Sequence, residues 1–399
     1  MPAPPPAAPS AASSAGGRGH LVAFAALSAS YFAHIGFFNP YLPLWLKDLG
    51  LPIFTISLLA SVQSITRVFA PYAWGALSDR TGHRVMLLRF SAAVALVSSF
   101  GLWWSGGPWW LGLVLLVMFT HTSSMMSLTE AAMAHVVAGD WGRYGRIRLW
   151  GSAGFLVTVF FAGEWFERFG MRHFPAWAGG TLAIVLIATL RLPDVREPAM
   201  ARGGENEPVA PVLRIPAVRW FFASLFFHVM AHFSVYGFLS LYLDSLGYGK
   251  GTIGLLWAMS VVAEIVWFFL QGRLLGLFAM PRWLLFCGIA AVLRLGLTAG
   301  GGEWIAALVV AQGLHALSFA AHHTTCIALV SRHFPGRLRG RGQALFTVIG
   351  YGFGGVLGVL AGGAIAQRFG YVAMFGVATA LAVVGSACAW RARKLEAAG

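Results

Sequence analysis

Charge is scarce in this chain of 399 residues: Asp, Glu, Lys and Arg together make up 11%, and only 14 residues are acidic. A soluble domain ordinarily draws about a quarter of its residues from those four types, so this composition does not describe one. Cysteine is almost missing too. Cys287, Cys326 and Cys388 all fall in apolar stretches, which excludes a disulfide framework or a metal spacing and leaves them as small packing residues. Hairpin alternation of the barrel kind is lacking, as are a nucleotide loop and a nucleophile–base constellation. Neither an enzyme nor an ATP-driven machine is expected, and neither a cofactor nor a metal.

What fills the chain instead is apolar. Hydrophobic residues reach 58% and the mean hydropathy is +0.72. A helix needs about 20 apolar residues to cross the ~30 Å hydrocarbon core. Twelve stretches qualify, at roughly 20–46, 54–77, 84–104, 109–137, 147–166, 173–191, 217–243, 252–271, 283–299, 304–330, 342–366 and 371–391. The expected fold class is an all-α membrane protein of twelve transmembrane helices in two pseudo-symmetric six-helix bundles. Its parts are a low-complexity disordered tail (1–19), an N-terminal bundle (20–191), a polar, Pro-rich linker (192–216), a C-terminal bundle (217–391) and a short tail (392–399).

The net charge of +14 would suggest nucleic acid in a soluble protein, but its distribution points to a lipid bilayer. Arg80, Arg84, Arg143, Arg146, Arg191, Arg214, Arg273, Arg282, Arg332 and Arg339 all lie in the even-numbered connections, and Arg18, Arg391 and Lys394 lie in the tails. The odd-numbered connections hold only Lys47, Arg168, Arg172, Lys250 and Arg368. Basic residues favour the cytoplasmic face, so both termini are expected in the cytoplasm, with no nucleic-acid partner.

The two halves repeat. At an offset of 197 residues, Leu46, Leu49, Gly50, Thr55, Ile56, Leu58 and Leu59 recur as Leu243, Leu246, Gly247, Thr252, Ile253, Leu255 and Leu256. The same offset pairs Arg67 with Glu264. Farther on, Glu167–Gly170 (ERFG) matches Gln367–Gly370 (QRFG). Parallel repeats of six spans are the mark of carriers that rock two halves about a midplane site.

Five charges occupy places where charge is expensive: Arg67, Glu130, Arg148, Glu264 and Arg294. Each costs at least ~2.5–3.5 kcal/mol at bilayer depth unless it is paired or wet. Three are basic and two acidic, so the set carries one unmatched positive charge and has room for an anion. Competing readings make Glu130–Arg148 a structural ion pair and pair Arg67 or Arg294 with Glu264 for packing alone. Asn39, Tyr31 and Tyr236 are candidate hydrogen-bonding partners for a substrate. His34 and His232 are candidate cavity residues.

Gly75–Arg84 (GALSDRTGHR), between spans 2 and 3, is similar to the loop signature of the major facilitator superfamily. Gly75 and Gly82 would permit a tight turn and close helix approach. Asp79 would pair with a neighbouring Arg, with Arg80 and Arg84 at the inner surface. In that superfamily the loop latches one gating state. YGRIRLWGS (144–152), LTEAAMAH, SVVAEIVWF, AVLRLG and QGLHALSF resemble the lactose permease and phenylpropionate permease branch, over nearly the whole chain. That resemblance implies substrate binding by Arg148, Glu130, Arg294 and Arg67, an aromatic platform at Phe155, and proton coupling through Glu264 and His315. Ser318 stands where the lactose permease has its proton-carrying carboxylate, and Trp267 where an Asn is expected one turn after Glu264. Both departures, with Phe155 in place of Trp, argue against a galactoside.

The resulting expectation is a monomeric, proton-coupled symporter of a small, aromatic carboxylate in the bacterial inner membrane, its partners being that small molecule, protons and the bilayer. A sugar or nucleoside symporter, or an exporter of drugs or metabolites, is the alternative.

Overall fold

At bilayer depth no water takes up backbone N–H and C=O groups, and a helix satisfies them within one segment. The apolar stretches accordingly fold as helices in the computed structural model, which describes residues 11–104, 106–137, 141–193 and 208–398. The first half holds α1 (Ala11–Asp48), α2 (Ile53–Thr81), α3 (Arg84–Ser99), α4 (Gly107–Val137), α5 (Trp141–Phe169) and α6 (Phe174–Leu190). The second holds α7 (Pro216–Ser245), α8 (Lys250–Leu274), α9 (Met280–Gly300), α10 (Ile305–His333), α11 (339–369) and α12 (371–398). The last two form one rod interrupted only at Gly370, whose φ of 83° no β-carbon-bearing residue adopts comfortably.

Helix extends beyond the expected spans at both tails. Residues 11–19, expected to be disordered, continue α1. Residues 1–10 of that tail lie outside the described residues, as does 194–207 of the expected linker; its end forms a short helix at Ala210–Arg214.

The loop signature forms a turn between α2 and α3. Gly82 closes α2 in the left-handed region (φ 68°), its N–H bonded to the Ser78 carbonyl. Arg84 bonds Asp79 at 3.2 Å and Ser78 Oγ at 3.1 Å. Arg80 is exposed. Gly75 differs from expectation: a β-carbon there would meet open space, so no close helix approach requires a glycine. Arg89 bonds the Thr189 and Leu192 carbonyls at 3.3 and 2.8 Å, supplying donors to the end of α6.

Within the first half α1 packs along α5 and α6, and α4 along α2 and α3; within the second, α7 and α9 pack on the α11–α12 rod. The halves meet where α5 faces α8, α2 faces α11 and α1 faces α7. Among the described residues, the hydrogen bonds that cross between halves gather at the end away from the termini. There Lys47 meets Asp244 at 2.6 Å and Gln367 Oε1 accepts the Phe54 N–H at 2.8 Å. Tyr41 donates to the Val159 carbonyl within its half and to Lys250 across the gap, at 2.9 and 3.3 Å. The bundle is thus pinned at its far end.

Backbone contact between α1 and α5 depends on Gly36. A β-carbon there would lie 2.7 Å from the Phe155 carbonyl oxygen, closer than atoms pack. Gly36→Val is expected to destabilise the protein by roughly 1–3 kcal/mol through overpacking, read as a lower melting temperature of the detergent-solubilised protein.

Candidate functional site

A guanidinium has donors and no acceptor, so burying one demands acceptors around it. Arg294, on α9, is the largest side chain buried below 2% exposure, at 1%. Its NH1 contacts His315 Nδ1 at 2.7 Å and Ser318 Oγ at 3.4 Å, and its NH2 donates to Gln312 Oε1 at 3.2 Å. Because arginine supplies only protons, His315 Nδ1 must be the lone-pair nitrogen. The ring proton therefore sits on Nε2, which donates to Glu264 Oε1 at 3.0 Å. One chain of bonds runs from α9 through α10 to α8, and the positive and negative ends of Arg294 and Glu264 balance through a neutral imidazole. A second proton on His315 would point at the guanidinium, so in this arrangement Glu264 is the carboxylate end of the chain.

Local helix geometry builds this chain. Residues 316–321 of α10 widen into π-helical turns immediately after His315, and residues 347–354 of α11 do the same. Such widening shifts side chains out of α register and often marks functional positions. In the second widened segment, Tyr351 OH lies 3.5 Å from His323 Nδ1.

The first half brings a second, looser pair. Arg148 Nε lies 3.8 Å from Glu130 Oε1, both half-buried, and the guanidinium lies 4.1 Å from the centre of the Phe32 ring. A cation over a ring face gains a further ~0.5–2 kcal/mol. Arg148 is also within electrostatic reach of His323 of the other half, so the two pairs face a common centre.

Arg67 completes the set and is differently placed. It is half-buried on α2, within electrostatic reach of the phenols of Tyr31 on α1, Tyr236 on α7 and Tyr351 on α11. No hydrogen bond or ion pair joins it to a described residue. Arg294 is linked to Glu264 through His315 and Arg148 pairs with Glu130, whereas Arg67 has no ion-pair partner among the described residues.

Several sequence-derived candidates sit elsewhere than expected. Arg294 is sealed behind His315 rather than open to a cavity, since its donors need three protein acceptors. The Tyr31 hydroxyl is spent on the Thr122 carbonyl at 3.0 Å, and Asn39 accepts from Gln63 Nε2 at 3.0 Å. Phe155 packs against the core beside Gly36. The ring beside Arg148 is Phe32. His34 is buried on Thr181 at 2.9 Å, and His232 packs between His315 and Tyr236 at ring separations of 5.5 and 5.1 Å. Trp267 turns to Trp283, 5.4 Å away. Tyr236, half-buried and parallel to Trp257 at 6.0 Å, stays beside the centre.

Sequence reasoning missed Gln312, Phe32, Tyr351 and His323. Gln312 lies one helical turn before His315 and was findable as a polar residue on the face of a buried cation. Nothing in the sequence marks the other three. An apolar groove of about 600 Å³ lies between Phe160 and Phe161 of α5, Met259 and Val262 of α8 and Val309 of α10.

Residues 25–377 match the MFS_1 like family. The chain is 27% identical over 329 residues to the probable 3-phenylpropionic acid transporter of Escherichia coli (strain K12), covering 81% of this chain and 85% of that protein. It is 28% identical over 339 residues to the maltose permease of Geobacillus stearothermophilus, covering 83% of each. The solved structure of the nucleoside transporter NupG superposes with a TM-score of 0.78 at 17% identity, over 94% of this chain and 99% of that one. A match across most of the chain, on a twelve-span fold shared with that structure, identifies this protein as a multi-pass membrane transporter belonging to the MFS_1 like family.

Proposed function

We propose that the protein carries a small organic carboxylate, an aromatic acid of the phenylpropionate kind, together with one or more protons. The observation that carries this reading is Arg67: a guanidinium within electrostatic reach of both halves, with no hydrogen-bond or ion-pair partner among the described residues. A planar fork of donors suits a carboxylate, and the phenols of Tyr31, Tyr236 and Tyr351 lie within its electrostatic reach. Arg148 over Phe32 is the second candidate contact. The named activity of the Escherichia coli relative supports the substrate class.

Glu264 takes the proton and His315 orients it. Protonating Glu264 leaves Arg294 uncompensated and raises the excess charge of the centre from one to two. Anion binding then becomes stronger, and by linkage a bound anion favours protonation. A neutral carboxyl keeps an acceptor oxygen for His315, so the bond chain survives loading. Arg294 is then a positioning residue, fixing the His315 tautomer. The working unit is a monomer in a bacterial inner membrane with both termini in the cytoplasm, and the pinned far end makes this conformation the one open to the cytoplasm. A neutral sugar or nucleoside is the second reading, favoured by the maltose permease relative and the NupG likeness; an efflux pump relative, PmrA of Streptococcus pneumoniae at 25% identity, fits an exporter.

Uptake of labelled aromatic acids into proteoliposomes, with and without an inward proton gradient, tests the proposal. Gradient-driven accumulation is expected; failure with every carboxylate, alongside transport of an uncharged sugar or nucleoside, would favour the second reading. Arg67→Gln should raise KM roughly ten- to a hundred-fold, the value of a hydrogen bond to a charged group, and Arg67→Lys should recover part of the loss. Glu264→Gln should retain counterflow exchange while losing uphill uptake; uphill uptake at the wild-type rate would remove Glu264 from the proton path.

A further inference from the structure

The pinned end of the molecule is built from two matching contacts. Glu167, near the end of α5 in the first half, accepts the backbone N–H of Lys250, the first residue of α8 in the second half. Its carboxylate also presses on the residue before, since a β-carbon on Gly249 would lie 2.9 Å from Oε2. Gln367, near the end of α11 in the second half, places Oε1 on the N–H of Phe54, the second residue of α2 in the first half. These are equivalent positions of the internal repeat: ERFG and QRFG align, and Gly170 and Gly370 both follow with φ of 83°.

Each contact answers a physical need. The first turn of a helix has N–H groups without intrahelical partners and a partial positive charge. Among the described residues, α2 and α8 begin without a side-chain cap from their own neighbours, with Pro52 and Gly249 at the capping positions. The acceptor comes from the opposite half instead. Lys47 and Asp244, themselves 197 residues apart, join the halves between the two caps at 2.6 Å, and Lys250 Nζ approaches Asp244 at 3.6 Å.

We propose that Glu167 and Gln367 are the paired bolts of the far-end gate, each capping the second helix of the other half, and that opening that end in the transport cycle requires both to withdraw. A cap seated on its own half would move with it and be indifferent to rocking. A cap seated on the other half breaks whenever the far end opens, so it sets how often that happens. The two bolts differ in charge. The Glu167 carboxylate adds an ionic attraction to the α8 terminus that the Gln367 amide lacks at α2. The inference concerns the gate alone and does not depend on which solute is carried.

Spin labels on cysteines introduced at Leu58 and Leu255 read the gate. Both are exposed, at 46% and 48%, they occupy equivalent places in α2 and α8, and the native thiols are all buried. Without substrate, pulsed-EPR distances in the parent should form one short population. A cap is worth ~1 kcal/mol, so losing one should raise the long-distance fraction about five-fold and losing both about twenty-fold or more. Glu167→Ala combined with Gln367→Ala should show the larger shift, and Glu167→Gln less than Glu167→Ala. The exchanged pair, Glu167→Gln with Gln367→Glu, retains two acceptors and should return to the short distance. An unchanged distribution in the double alanine variant, or an exchanged pair that opens as far as the alanines, would overturn the proposal.

Discussion

A guanidinium held at bilayer depth dictates what surrounds it, and Arg294 is the one on which the second half is organised. Its donors have to be met by acceptors, and His315, Gln312 and Ser318 supply them from one helix. Meeting that demand fixes the tautomer of His315, which in turn aims a proton at Glu264. The network is therefore directional. It ends on the half-buried carboxylate of Glu264, and that direction follows from the bonding capacity of arginine.

The first half solves the same problem differently. Among the described residues, Arg148 has one carboxylate at a longer distance and an aromatic face, and Arg67 has neither a carboxylate nor a hydrogen bond. Charge balance across the centre thus depends on which groups are protonated and what is bound. The repeat makes this legible as divergence: equivalent positions hold Arg67 and Glu264 at the centre, Lys47 and Asp244 at the far end, and Glu167 and Gln367 at the two caps. Several apolar positions and glycines are identical between the halves, while these polar positions differ in charge, and of the three pairs Lys47 and Asp244 meet directly.

Span number, the two halves and the loop turn could be read from the sequence because they rest on length, apolar content and glycine position, which are local. The five buried charges were visible for the same reason: a charge inside an apolar run stands out. Their pairing was not. Arg67 and Glu264 occupy equivalent positions and invite pairing, yet Glu264 is taken by His315, a choice made by helix rotation and by the π-helical widening after residue 315. The cation–ring contact of Arg148 with Phe32 was not legible either, because Phe32 lies on a helix that reaches Arg148 only after folding. Contacts between helices distant in sequence depend on packing angle and register, which no single stretch encodes.

The central claim is that the centre binds an anion on unmatched positive charge and gains a proton on Glu264 as it does so. Infrared difference spectra recorded on adding an aromatic carboxylate to the purified protein test this most directly. The account predicts the appearance of a protonated side-chain carboxyl band that is lost in Glu264→Gln, together with proton uptake from the buffer. A carboxylate that binds without that band and without proton uptake would contradict it.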